Sequence, residues 1–353
     1  MPYCHNCGAK LDEDAKFCRV CGAPVSPGGT QAAQPLRPRQ KAGFPLAIIA
    51  VIIIVVLIVA ALAVLIFPFT PVNFSQSNEA AAANVNRLNL LFDSDVANIN
   101  VILKDLPGNQ RAATNVTATG FRGIFGSDTP LALSFDEKTN FSTLTWVVTV
   151  TRAEGWSAVS ALDVNCDLYI DPSIALSVSV TTDTGSVTMN ADREVTFERL
   201  SLQTTTGTVE ADVTQNVAIS GPFSLQTTTG SVQFSWNGAS VSGNIPLNLK
   251  TTTGSVEVNI TQARQLGGNV TLNAQAVTGS VSLSLNIQNG VGSRISASTA
   301  LGGVNVQQQG FSGNQAPLQS SNYPAENNFD VSLQATTGGI NINAVYELGG
   351  VRS

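Results

Sequence analysis

Residues 249–258 read Leu249-Lys250-Thr251-Thr252-Thr253-Gly254-Ser255-Val256-Glu257-Val258, and this stretch decides how most of the chain is read. Apolar and polar positions alternate on both sides of Gly254, the period of a half-buried β-strand. Glycine supplies a positive φ cheaply, so two strands meet at a bend. The pattern occurs seven times, centred on Gly185, Gly207, Gly230, Gly254, Gly279, Gly302 and Gly338. Successive glycines are 22, 23, 24, 25, 23 and 36 residues apart. A recurring period of 20–25 residues is the mark of a stacked, solenoid-like architecture.

The flanks keep the same register. Five residues before the glycines stand Val180, Leu202, Leu225, Leu249, Ala274, Ala297 and Leu333. Four residues after stand Met189, Ala211, Phe234, Val258, Leu283, Val306 and Ile342. Two architectures fit. In a hairpin meander, Thr-Gly-Ser would reverse the chain between antiparallel strands. In a parallel β-helix it would be a corner, with copies stacked about 4.8 Å apart and threonines forming ladders. Equal periods with the same residue types at the same offsets favour the β-helix. The 36-residue interval holds an insertion, GFSGNQAPLQSSNYPAENN, expected as a loop.

Upstream, Leu162, Val164, Cys166, Leu168 and Ile170 alternate with polar residues, which turns Cys166 to the core. Asp163, Asp167 and Asp171 then read as a solvated edge. Strand-like runs lie at Leu88–Phe92, Ile99–Leu103 and Leu144–Val150, and residues 78–86 read as a short helix or a stalk. The pattern Asp167-Leu-Tyr-Ile-Asp171-Pro172, followed by repeated L-x-T-T-T-G-S-V-x-V, resembles the putative adhesin domain of prokaryotic surface and membrane proteins. The resemblance spans about residues 85–345. It implies a right-handed β-helix-like fold and a surface role, and it supplies no catalytic residue.

Near the N-terminus, Cys4-His5-Asn6-Cys7-Gly8 is followed by Cys18-Arg19-Val20-Cys21-Gly22. Each CxxC pair can form a knuckle, and two pairs fill a tetrahedral zinc shell. Glycine after each pair permits the turn whose amides face the sulfurs. About 25 residues cannot bury a core, so the metal would supply most of the folding free energy. A thioredoxin-like redox pair lacks its βαβ context, and His5 is left as a bystander. The run YCHNCG…FCRVCG resembles the short zinc ribbon of many prokaryotic membrane proteins. That resemblance implies a structural zinc and a cytoplasmic protein contact. Lys10, Lys16 and Arg19 are balanced by Asp12, Glu13 and Asp14, which leaves no basic footprint for nucleic acid.

Between ribbon and repeats, Leu46–Phe67 reads LAIIAVIIIVVLIVAALAVLIF, without a charged or polar side chain. As one helix it would be roughly 33 Å long, enough for a hydrocarbon core of about 30 Å. Arg37, Arg39 and Lys41 precede it, and the next basic residue is Arg87. The positive-inside rule then places the N-terminus in the cytoplasm and the C-terminal domain outside. Residues 1–45 carry six Lys/Arg against three acids, the remainder twelve against 21, in accord with the overall −6. The expected organisation is a zinc ribbon (1–25), a flexible linker (26–43), a transmembrane helix (44–69), a stalk (70–84) and an adhesin-like β-helix domain (85–353).

No active site is apparent. The single histidine is His5, so the many serines and threonines lack a histidine partner, and the acids are scattered. Asp183 and Asp192 sit near the first repeat without forming an acidic stack. Candidate N-glycosylation sites are Asn73, Asn115, Asn140, Asn259 and Asn269, each in N-x-S/T. The expected protein is a non-enzymatic, single-pass surface protein that touches membrane lipid and displays a binding domain for an extracellular ligand or surface glycan. The alternative is an envelope-sensing signalling protein that passes its state through the ribbon to a cytoplasmic partner.

Overall fold

The computed structural model describes residues 3–25, 50–59, 70–122, 129–153, 162–288 and 290–347. The chain divides into two compact units, Met1–Ile66 and Phe67–Ser353. In the first, two short bridges, Tyr3↔Lys10 and Phe17↔Pro24, frame the two cysteine knuckles. A helix, α1, covers residues 50–59. At about 1.5 Å per residue that is roughly half of a hydrocarbon core. No helix among the described residues is long and apolar enough to cross a membrane. This corrects the expected single-pass membrane protein, and with it the cytoplasmic N-terminus and the extracytoplasmic domain that rested on the span. Hydropathy marks a run that avoids water, whereas a span needs about 20 residues of continuous helix and the described helix has ten. Residues 44–49 and 60–69, the ends of the expected span, and the linker 26–43 lie outside the described residues.

The second unit is built from strands. Its first part holds β1 (Thr70–Ala81), β2 (Arg87–Val96), β3 (Asn98–Leu103), β4 (Gln110–Arg122), β5 (Leu131–Asn140), β6 (Thr143–Arg152) and β7 (Leu162–Ile170). The repeats follow: β8 (Ala175–Thr184) and β9 (Val187–Ala191); β10 (Val195–Thr206) and β11 (Val209–Thr214); a short β12 (Val217–Ile219); β13 (Phe223–Thr229) and β14 (Val232–Asn237); a short β15 (Ser240–Val241); β16 (Gly243–Thr253) and β17 (Val256–Gln262); β18 (Gly268–Thr278) and β19 (Val281–Gln288); β20 (Val291–Leu301) and β21 (Val304–Gln309). The insertion supplies β22 (Phe311–Ser312) and β23 (Leu318–Ser320), and β24 (Asn327–Thr337) with β25 (Ile340–Glu347) completes the last repeat. The stretch expected as a stalk or short helix is instead mostly β1, paired antiparallel with β4 from Thr70 to Ala81.

Each repeat gives one strand to each of two sheets. The eleven-stranded first sheet has the order β1-β4-β7-β3-β9-β11-β14-β17-β19-β25-β21. The fourteen-stranded second sheet runs β22-β23-β20-β24-β18-β16-β13-β10-β8-β2-β6-β5, with β12 and β15 off this path. Repeat strands pair in parallel, for example Leu202↔Leu225 and Val209↔Val232. The ends are antiparallel: β1 with β4, β4 with β7, β5 with β6, and β20 with β23. Both sheets are therefore mixed.

This overturns the expected parallel β-helix on two counts. The stack is closed by antiparallel strands, and its order is not the order of the chain. The seventh copy lies between the fifth and the sixth: β25 pairs with both β19 and β21, and β24 with both β18 and β20. The insertion makes this exchange. It spans a rung, and its β22–β23 hairpin caps β20.

One apolar core lies between the sheets. Leu225, Leu249, Val232 and Val256 are all at most 1% exposed, as the alternation requires. Trp236 of the first sheet meets Phe329 of the second edge-on at 5.7 Å, and its Nε1 donates to Gln262 Oε1 at 2.7 Å. Aromatic contacts of this kind add to the area they bury, and the indole N–H is satisfied.

The corner explains why the repeat needs its residues. The central glycines hold φ between +135° and +152°. A Cβ built on Gly230 would stand 1.9 Å from the carbonyl oxygen of Gly207, and one on Gly254 1.8 Å from that of Gly230. The backbone passes too closely for any side chain, besides the φ that L-residues avoid. The first threonine of each full triplet turns inward and donates to the neighbouring glycine carbonyl: Thr204 to Gly185 at 2.8 Å, Thr227 to Gly207 at 3.0 Å, Thr251 to Gly230 at 2.9 Å. The buried hydroxyl is thereby satisfied.

Candidate functional site

The cysteine knuckles are nearly superposable by their bonding. Gly8 N donates to Cys4 O and Cys4 N to Ala9 O; Gly22 N donates to Cys18 O and Cys18 N to Ala23 O, all at 2.8 Å. Gly8 and Gly22 share φ +71°. The four sulfurs lie within 4.8 Å of one another, with Cys4–Cys21 at 3.6 Å and Cys7–Cys18 at 3.5 Å. A tetrahedral thiolate shell of about 2.3 Å radius separates its sulfurs by a little under 4 Å, so the donor set fits a zinc-sized ion. His5 lies outside this cluster of four.

The electrostatics of the site follow from the turns. Backbone amides of Cys21 and Val20 lower the Cys18 thiol to about 6, and the Ala23 amide lowers Cys21. The Ala9 amide favours the Cys7 thiolate too. Hydrogen bonds that the protonated Cys7 donates to Cys21, Cys18 and Cys4, with desolvation, outweigh it and raise Cys7 to about 12. Four like charges within 4.8 Å need a cation between them.

The remaining residues singled out by sequence are dispersed. Gly185, Gly207, Gly230, Gly254, Gly279, Gly302 and Gly338 form the corner column and have a structural part. Asn73, Asn140 and Asn259 are exposed, and Asn115 accepts from Ser77 Oγ at 3.1 Å. Asn269 is committed: its Nδ2 donates to Asn244 and its Oδ1 accepts from the Asn328 amide at 2.8 Å. Asp183 and Asp192 are exposed. Asp171 corrects the expected acidic edge. It is 5% exposed and paired with Arg111 Nη1 at 2.6 Å, while Asp163 and Asp167 stay outside.

Sequence reading missed one corner. Val96↔Thr184 pairing and the Ala97 N to Thr184 O bond place Ser94-Asp95-Val96-Ala97-Asn98-Ile99 as a further rung beside the Gly185 copy. Ala97 stands where every other copy has glycine, which hid it. Ser, Val and Ile at the matching offsets were the available signal.

The outward faces are rows of hydrogen-bonding side chains, most of them uncharged. On the second sheet, Gln203, Gln226, Lys250, Gln275 and Gln334 align across five strands, beside a row of Ser201, Ser224, Asn248, Asn273 and Ser332. Several are bonded to one another, as Gln226 Nε2 to Ser224 Oγ at 2.8 Å and Asn273 Nδ2 to Asn248 Oδ1 at 3.2 Å.

Residues 3–25 match the zinc-ribbon domain family. No curated protein matches the chain by sequence. Among solved structures, a putative cell adhesion protein from Clostridium sporogenes is 12% identical, with a TM-score of 0.37, over 77% of this chain and 99% of that one. A putative adhesin from Bacteroides fragilis is 9% identical, with a TM-score of 0.25, over 76% and 97%. A putative adhesin from Parabacteroides distasonis is 12% identical, with a TM-score of 0.25, over 78% and 97%. Likeness at this level establishes nothing about this chain's fold or role.

Proposed function

We propose that the protein is a non-catalytic binding protein, with the two-sheet unit as an adhesive recognition module for a surface glycan. The observation that carries this reading is the outer faces: parallel register holds Gln, Asn, Ser and Thr in straight rows over a rigid core. Such rows present donors and acceptors with little net charge, which suits polyhydroxylated ligands. The sole histidine lies in the ribbon, so the serines and threonines of the two-sheet unit have no histidine partner for nucleophilic catalysis. The N-terminal module holds one structural zinc through Cys4, Cys7, Cys18 and Cys21. The test is a glycan array probed with the full chain, followed by mass analysis of the retained glycans. Retention with unchanged glycans is expected; cleaved or modified products would overturn the non-catalytic reading.

A further inference from the structure

One part of the first sheet's outer face differs from the rest. Where β17, β19, β25 and β21 lie side by side, a groove of about 330 Å³ opens. Its floor is β19, where the outward residues are the short Ser282 and Ser284. Pairing sets Glu257 and Asn259 on one wall and Asn341 and Asn343 on the other, with Asn305 and Gln307 beyond. Neighbouring strands stand about 4.8 Å apart, and same-face residues about 6.6 Å apart along each strand.

All but one of the amides here are unspent among the described residues. Asn259 Nδ2 donates to Glu257 Oε1 at 3.3 Å. Asn305, Gln307, Asn341 and Asn343 have no side-chain hydrogen bond among the described residues, unlike the paired amides of the second sheet. Each primary amide offers two donors and an acceptor side by side, which matches adjacent sugar hydroxyls, themselves donors and acceptors. No lysine or arginine lines the groove, and Glu257 is its one charge, so an anionic chain would be repelled. A peptide would need a free sheet edge or apolar pockets. The floor is instead the face of β19 and β25, whose backbones are already paired on both sides, and the sheet's open edge, β21, lies beyond the far wall.

We propose that this groove binds a neutral oligosaccharide through the amides of Asn305, Gln307, Asn341 and Asn343 and the hydroxyls of Ser282 and Ser284. The proposal rests on the glycan-binding reading above and gives it a place and a ligand class. No aromatic ring lines the groove, so hydrogen bonds carry recognition, and a method suited to weak binding is needed.

The experiment is affinity electrophoresis of the full chain, made without glycosylation, in native gels containing dextran, galactomannan, xyloglucan or anionic polygalacturonate. Retardation by at least one neutral polysaccharide is expected. The Asn341→Ala/Asn343→Ala double variant should weaken it by about tenfold, two lost hydrogen bonds' worth. Ser284→Trp, which fills the groove, should abolish it. Lys138→Ala, exposed on the far edge strand β5 of the second sheet, should leave it unchanged. All positions face outward, and thermal unfolding checks that each variant is folded. Undiminished retardation of both groove variants would overturn the site while leaving the glycan-binding reading standing. Stronger retardation by polygalacturonate would overturn the neutral ligand class. A wild-type chain retarded by none of the four would overturn the site and the glycan reading together.

Discussion

Gly230 holds φ +140° with the Gly207 carbonyl where its Cβ would be, whereas Gly243 holds φ +80° with nothing within 4 Å of that point. The pair separates backbone strain from crowding. Gly243→Val should cost only the strain of an unfavourable φ, ~1–3 kcal/mol. Gly230→Val adds a backbone clash and should unfold the rungs on either side. Thermal melts of the two variants test this, and equal losses would mean that the corner column is not tightly stacked. The strand faces make a second contrast. Leu249 is 1% exposed and Lys250 points outward. Leu249→Asp buries an unpaired charge and should cost roughly 4 kcal/mol or more, whereas Lys250→Asp should stay within about 0.5 kcal/mol. Cys166 gives the third. Burial, with the Asp167 charge, raises its thiol to about 12. Folded protein keeps that proton when the unfolded chain loses it near pH 9, so stability should fall as pH rises through 9–12. A thiol reagent at pH 8 should label Cys166 only after denaturation.

Among the elements, the ribbon is the one whose stability is expected to depend on an ion. Only Cys4, Leu11 and Cys18 form its buried cluster, far too little apolar surface to fold 23 residues without help. Zinc binding requires thiolates, so a proton must leave Cys7, which holds it up to about 12 without a cation. Binding at pH 7 should therefore release protons, read by calorimetry in buffers of different ionisation enthalpy. Zinc should be lost as pH falls and protons compete for the sulfurs. Cys18→Ser should release the metal and leave the melting of the two-sheet unit unchanged. A shared loss of both transitions would show that the ribbon and the sheets do not fold independently.

For the whole two-sheet unit, the decisive feature is the order of rungs. If the seventh copy lies between the fifth and sixth, Ser284 on β19 neighbours Asn343 on β25, in register. A sequential stack would put Ser284 beside Gln307 instead. Parallel neighbours about 4.8 Å apart are within reach of a disulfide. Ser284→Cys/Asn343→Cys should oxidise to an intramolecular disulfide seen by non-reducing peptide mapping, and Ser284→Cys/Gln307→Cys should not. The reverse result would restore the order of the chain.

The sequence made the strands, faces and corners of the seven repeats legible, because alternation and the glycine's φ are local properties that each copy states again. It also marked out the four clustered cysteines, since CxxC spacing fixes two sulfurs on one turn. It could not show that Ala97 begins the column, because the glycine that marks a corner is absent there. Nor could it show that Asp171 is buried, since its partner Arg111 lies 60 residues away. The exchange of the last two rungs, the antiparallel ends and the groove over β19 were decided by tertiary structure. All three depend on which strands become neighbours, and for the exchange and the groove that choice is set by how far the 310–328 insertion reaches and which open edge it covers. Identical repeats have nearly identical edges, so nothing in a repeat says which copy it will lie beside.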